Sequence, residues 1–179
     1  RIQSRDHDDI PEQRAALEAD MRQQGFPNFV VTHRTFSGDL VSADERAVYF
    51  PIVYVYPYEN NKRAHGLDVY QLDYRQRQIK DAIENNLTVF SDPLHLVQGG
   101  REISYIVYAP VYKLDPNGNV KASGLNGVQG LVQVVVRFRD IIDQITDRLH
   151  LDKVNLSVYD INDPAKPVLL WGDHIQPSR

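Results

Sequence analysis

Ala16, Leu17 and Met21 recur at helical spacing and predict a helix running from the acidic start Asp8-Asp9 to Gly25. Pro11 suits the first turn, Glu12 complements the helix dipole, and Gly25 supplies a C-terminal stop. Phe29-Val30-Val31-Thr32 predicts a strand. From Val48 to Tyr58 the pattern alternates: Ile52, Tyr54, Tyr56 and Tyr58 fall on one strand face, Val53 and Val55 on the other. Pro51 and Pro57 imply an edge position or a bulge. A polar connection from Glu59 to His65 leads to Gly66-Leu67-Asp68. Tyr74 to Asn86 then predicts a helix with Ile79, Ala82 and Ile83 inward and a left-handed stop at Asn85-Asn86. The interleaved charges from Asp73 to Glu84 read as its solvated face.

Leu87 to Phe90 is a short apolar run broken by Ser91-Asp92-Pro93. Leu94–Val97 and Ile103–Val111 flank Gln98-Gly99-Gly100-Arg101, a hairpin signal. A polar loop opens at Asp115-Pro116-Asn117-Gly118 and ends near Gly127. Val128 to Phe138 is the most β-prone stretch of the sequence, and Phe138 to Leu149 predicts a helix with Ile142, Ile145 and Leu149 on one stripe. Val154–Tyr159 and Val168–Trp171 predict strands joined by a turn at Asn162-Asp163-Pro164. Hairpins dominate and βαβ alternation is absent, so the expected class is α+β: an antiparallel sheet with flanking helices.

Composition narrows the function. Apolar and aromatic residues make up 42% of 179, enough for a core. A net charge of -4 with no basic stripe argues against nucleic-acid binding. The absence of cysteine removes thiol nucleophiles, disulfides and cysteine-based zinc sites. The six histidines are scattered without an i, i+4 pair, and no nucleophile motif or phosphate loop accompanies them. No catalysis and no cofactor are therefore expected. No apolar run reaches the roughly 18 residues of a membrane span. The opening at Arg1, with neither Met nor an apolar leader, reads as a fragment of something longer.

The ordered set Gly66-Leu67-Asp68, Arg75, Ala82, Ser91-Asp92-Pro93-Leu94-x-Leu96 and Ala109-Pro110-Val111-Tyr112 resembles the core of a CHASE domain. Gly127, Gly130, Phe138-Arg139 and Val158-Tyr159-Asp160-Ile161 continue the resemblance, and Tyr49-Phe50-Pro51-Ile52 with Pro57-x-x-Asn60 fit the strand before it. CHASE domains are sensory ectodomains of plant cytokinin receptors and of many bacterial receptors. The resemblance implies a stalk helix and two PAS-like modules, the membrane-distal one holding the ligand. It places that module at residues 1–150 and the start of a truncated membrane-proximal module at 151–179. It further implies a homodimer on the periplasmic or extracellular side of an inner or plasma membrane. The flanking transmembrane helices and a histidine kinase, diguanylate cyclase or phosphodiesterase output would lie outside this chain.

In the plant receptors a carboxylate meets the adenine ring and a Thr lies in the segment matching Leu87–Leu96. Counted without gaps from Gly66-Leu67-Asp68, these positions fall on Glu59 and Ser91. The ligand expected from the resemblance is thus a cytokinin-like adenine derivative or another small organic molecule. The candidate pocket comprises Tyr54, Tyr56, Tyr58, Glu59, Ser91, Leu96, Tyr105, Tyr108, Gly127 and Gly130. Tyrosines offer apolar area with a hydroxyl, as a pocket wall requires, but aromatics also simply pack in strands. Tyr105 and Tyr108 have opposite parity, so one regular strand cannot send both into one pocket. Glu59 is either a ligand acceptor or a solvated acid beside Lys62 and Arg63. Ser91 either meets ligand or caps the turn before Pro93, and Gly127 and Gly130 either admit a ligand or mark a bulge. The alternative function is a structural dimerisation ectodomain without a ligand.

Overall fold

The computed structural model describes residues 2–3, 10–71, 73–95, 103–120, 123–150 and 155–172. Its elements are β1 (Ile2–Gln3), α1 (Ile10–Gln23), β2 (Thr32–Arg34), β3 (Leu40–Ser42), β4 (Val48–Tyr49), α2 (Tyr58–Asn61), a 3₁₀ turn (Lys62–Ala64) and α3 (Asp73–Asn85). They continue with β5 (Val89–Phe90), β6 (Ser104–Tyr112), α4 (Gly124–Gly127), β7 (Val128–Arg137), α5 (Phe138–Leu149), β8 (Val158–Asp160) and β9 (Val168–Trp171). The class is α+β, with small sheets ordered β1-β4, β2-β3, β5-β6-β7 and β8-β9. The β1–β4, β2–β3, β5–β6 and β8–β9 pairs are antiparallel. The predicted cap at Asp8-Asp9 and the hairpin tip at 98–101 lie outside the described residues. Contacts divide the chain into two compact units, Arg1–Ser91 with Val107–Val134, and Asp92–Ile106 with Val135–Arg179.

In the first unit, α1 buries Ile10 and Met21 with Leu17 packed beside them, an i, i+7, i+11 stripe. They meet Phe29, Val31, Ala43 and Tyr49 in one apolar cluster. Gly25 ends the helix at φ 101°, as the sequence predicts. Arg14, on the same stripe, donates to the carbonyl of Ala43 and to Ser42 Oγ (2.7 Å), so its guanidinium ties α1 to the β3 segment.

The Gly66-Leu67-Asp68 segment lies between two others and bonds to both. Thr32 N–H donates to Gly66 O (2.9 Å) and Asp68 N–H to Thr32 O (2.8 Å). On its other side Ile52 N–H donates to Leu67 O (3.0 Å), and Gly66 N–H to Ile52 O (2.8 Å). Gly66 sits at φ 88°, and a Cβ there would lie 2.2 Å from Val30 O, so no other residue fits without moving backbone.

This arrangement corrects the strand predicted from Val48 to Tyr58. Only Val48–Tyr49 belongs to a strand, Ile52 to Val55 carry no regular structure, and Tyr58 opens α2. Pro51 and Pro57 lack the amide hydrogen a ladder needs, and Ile52 already spends its backbone groups on Gly66 and Leu67. Tyr54, Tyr56 and Tyr58 therefore do not share a strand face. The strand predicted at Phe29–Thr32 appears later in the chain, at Thr32–Arg34.

The second unit holds α5 and the β8–β9 pair. α5 packs on β9, where the Trp171 indole N–H donates to Asp143 Oδ1 (2.8 Å). His150 closes the helix in the left-handed conformation, φ 51°. The predicted stripe exists, but Ile145 and Leu149 remain 42% and 63% exposed.

Candidate functional site

Helix α3 follows directly from its sequence. Residues 75, 78, 79, 82 and 83 are buried, an i, i+3, i+4, i+7, i+8 face, and Asn86 at φ 52° terminates it. Ile79, Ala82 and Ile83 are fully enclosed there. The same face carries polar groups at its N-terminal end: Arg75 is 5% exposed and Gln78 6%. Across from α3 lies the β5–β6 ladder, in which Val89 pairs with Tyr108. Burial alternates along β6, with Tyr108 and Tyr112 inward. The Tyr112 hydroxyl donates to the Ile83 carbonyl, fixing this strand face against the helix. Tyr108 lies one four-residue step back along the strand face, and Arg75 lies eight residues back along the helix face. Ser91, just beyond β5, is buried as well, and α4, which ends at Gly127, packs on α3.

Burying such groups is expensive. An unsatisfied buried donor or acceptor costs about 1–3 kcal/mol, and apolar residues of similar shape in place of a buried charged group are often neutral or stabilising. Arg75, Gln78, Ser91 and Tyr108 each make interactions within the fold.

A second polar cluster sits in the same unit beside Gly66-Leu67-Asp68. Asp68 is fully buried, and its Oδ1 accepts the amide hydrogens of Phe50 (2.8 Å) and Tyr70 (3.1 Å). Its Oδ2 makes no hydrogen bond and faces Arg46 Nη1 at 4.0 Å. Burial raises the Asp68 pKa above the ordinary carboxyl range, against the two amide hydrogens and Arg46, which lower it. Arg46 Nη2 also lies 3.9 Å from Asp44 Oδ2, the same oxygen that His33 Nδ1 approaches at 3.6 Å. The Tyr49 hydroxyl accepts from Arg46 N–H (2.9 Å) and donates to Asp44 O (2.7 Å). Ile10, Pro11, Glu45, Arg46 and Tyr49 line an open cleft of about 250 Å³ above this cluster. The hydrogen bonds of Asp68 and Tyr49 all run to backbone of neighbouring segments, so the cluster ties chain segments together. It is structural, and no residue of the predicted pocket lines its cleft.

The sequence from residue 9 to 171 matches the family model of the CHASE domain. The chain belongs to the CHASE family. CHASE domains are extracytoplasmic sensor domains of signalling receptors rather than catalytic ones. None of the curated proteins matches the chain. Among the described residues no helix is long and apolar enough to cross a membrane.

Within this CHASE domain the predicted pocket residues separate. Ser91 and Tyr108 are buried in the first unit, Gly127 ends α4, which packs on α3, and Gly130 lies in β7 with open space where a Cβ would project. Tyr54 and Tyr56 are 74% and 95% exposed, and the Tyr54 hydroxyl donates to Gln24 Oε1 (3.3 Å). Tyr58 packs its ring on Phe26 and His65, with centroids 5.3 and 5.4 Å away. Glu59 is exposed and lies 3.8 Å from Lys62 Nζ. Tyr105 belongs to the second unit, where its hydroxyl donates to Asp160 Oδ2 (2.9 Å); burial first and Asp160 second push its pKa up. Tyr105 and Tyr108 thus serve different surroundings, as their parity requires. Leu96 lies outside the described residues.

Arg75 and Gln78 are buried, so the solvated face predicted for this helix is corrected at both. The signal was present: both stand on the stripe set by Ile79, Ala82 and Ile83, so helical phase, read before charge, puts them inside.

Proposed function

We propose that this CHASE domain senses a small organic molecule, held in its first unit between α3 and the β5–β6 ladder by Arg75, Gln78, Ser91 and Tyr108. The observation that carries the reading is the burial of these four polar side chains in one unit: Arg75 and Gln78 on α3, Ser91 just beyond β5 and Tyr108 on β6. A sensor pocket needs mostly apolar walls and a few directed polar groups, and Ile79 and Val89 supply apolar wall here. Gly127 and Gly130 belong to its border. The exposed Tyr54, Tyr56 and Glu59 take no part in it. On this reading the module is PAS-like and membrane-distal, and it works within a homodimeric receptor of the inner or plasma membrane. Its output is a histidine kinase or a cyclic-di-GMP enzyme. Ligand biases that receptor only by its differential affinity for two arrangements.

The test is a thermal-shift titration of the purified domain against adenine-type cytokinins, amino acids, carboxylic acids and small aromatics. A true ligand raises the melting temperature with concentration, because it stabilises only the folded state. The shift should vanish in a Ser91→Ala, Tyr108→Phe variant and persist in Tyr54→Ala, Tyr56→Ala. The opposite pattern would move the site to the 52–59 segment.

A second reading, a dimerisation ectodomain without a ligand, draws on the exposed ridge Ile141, Ile145 and Leu149 of α5. A titration without any shift, together with a dimer that Ile145→Asp dissociates, would favour it.

A further inference from the structure

The connection from β3 to β4 is anchored at both ends and lightly held between them. At one end Ala43 N–H donates to Val31 O (2.9 Å), and Arg14 donates to Ala43 O and Ser42 Oγ. At the other, Phe50 N–H donates to Asp68 Oδ1 (2.8 Å). Ala43 to Arg46 carry no regular structure. There Asp44 N–H donates to His33 Nδ1 (3.4 Å), and Asp44 O and Arg46 N–H meet the Tyr49 hydroxyl. A ring nitrogen that accepts carries no proton, so this contact requires a neutral His33 with its hydrogen on Nε2. The same Nδ1 lies 3.6 Å from Asp44 Oδ2. One buried nitrogen thus faces both a donor and an acceptor of a single residue. The charges around it are few among the described residues. Asp44 Oδ2 and Asp68 Oδ2 share Arg46 at 3.9 and 4.0 Å, and the charges of Arg46 and His33 both act on Asp68. β3, paired with the His33 strand, brings only Leu40, Val41 and Ser42, and Arg34 alternates to the other strand face.

We propose that His33 is a pH-responsive switch of the β3–β4 connection. Neutral, it accepts the Asp44 amide hydrogen at Nδ1; protonated there by a proton from solvent, it donates from the same atom to the Asp44 carboxylate. Nδ1–H no longer accepts, so the amide hydrogen bond is lost as the ion pair forms. Asp44 Oδ2 then turns toward His33 and away from Arg46, which keeps Asp68 as its remaining acid. Arg46 and Glu45 line the cleft that Ile10 and Pro11 of α1 close, so the exchange reshapes that cleft. The proton is an input of its own, independent of a ligand at α3.

The experiment is an NMR titration of the chain from about pH 8 to about pH 5, the range in which histidines change charge. At the alkaline end the His33 ring should be the Nε2–H tautomer. On acidification the Asp44 amide proton should move upfield, as a lost hydrogen bond requires, with the same midpoint as the His33 ring. His33→Gln keeps an acceptor but does not titrate, and should abolish the movement of the Asp44 amide. Asp68→Asn should leave that movement in place, which separates His33 from the buried acid of the same cluster. The tautomer and the shared midpoint are read on unaltered protein, so a variant that fails to fold leaves the test intact. A proton on Nδ1 at the alkaline end would overturn the proposal. So would an Asp44 amide that stays still while the His33 ring titrates, or one that moves without it. Movement that survives His33→Gln and disappears in Asp68→Asn would overturn it too and assign the switch to Asp68.

Discussion

Helices α3 and α5 read alike in the sequence and end in different surroundings. Each has a clean apolar stripe at helical spacing and a left-handed residue at its end, Asn86 and His150. The stripe of α3 is sealed: Ile79, Ala82 and Ile83 are inaccessible, and Tyr112 fastens the helix to β6. The stripe of α5 leaves Ile141, Ile145 and Leu149 open, although the helix packs on β9. Periodicity thus establishes that a helix exists and which face is apolar. What covers that face is decided by chain far away in the sequence. In α3 the covered face also encloses Arg75 and Gln78, and on the function proposed above that buried charge marks the ligand site.

The largest expected effect contrasts the two stripes directly. Ile79→Ala or Ile83→Ala should destabilise the domain by about 2–5 kcal/mol in urea unfolding, whereas Ile145→Ala should stay within about 1 kcal/mol. Equal losses would show that the α5 ridge is covered in solution. A smaller effect tests the fastening: Tyr112→Phe should cost about 1 kcal/mol, the usual worth of a buried hydrogen bond whose acceptor is left behind. A neutral result would mean the Ile83 carbonyl finds another donor.

The smallest effect concerns pH. Folding raises the Asp68 pKa, so the folded state binds this proton more tightly than the unfolded state. Its contribution to stability is therefore greatest at acid pH. It declines as pH climbs from the ordinary carboxyl range through the raised value. Asp68→Asn keeps an oxygen for the Phe50 and Tyr70 amides and removes the charge. The variant's melting temperature, relative to wild type, should thus be higher at neutral pH than at acid pH. A relative melting temperature that falls on going to neutral pH would mean that Arg46 outweighs burial.

The helices and the α+β class were legible because hydrophobic phase is local. The 48–58 segment was not, because its alternation was true but its backbone partners were the distant Gly66 and Leu67. Gly66 itself was readable only as part of a family pattern; its reason, the carbonyl of Val30 against its Cα, is tertiary. Of the residues chosen from sequence, Ser91 and Tyr108 are buried in the first unit and Gly127 ends α4, which packs on α3. The burial of Arg75 and Gln78 was not legible, because charge and amide groups are solvated in most helices. Tyr54 and Tyr56 were chosen for aromatic character, which does not distinguish a pocket wall from an exposed loop.

The central claim is that ligand is held at the α3 layer. Hydrogen exchange of the domain, with and without the compound that stabilises it best, tests this most directly. The account predicts added protection in residues 75–83 and 107–112. Protection confined to residues 52–61, with α3 unchanged, would contradict it.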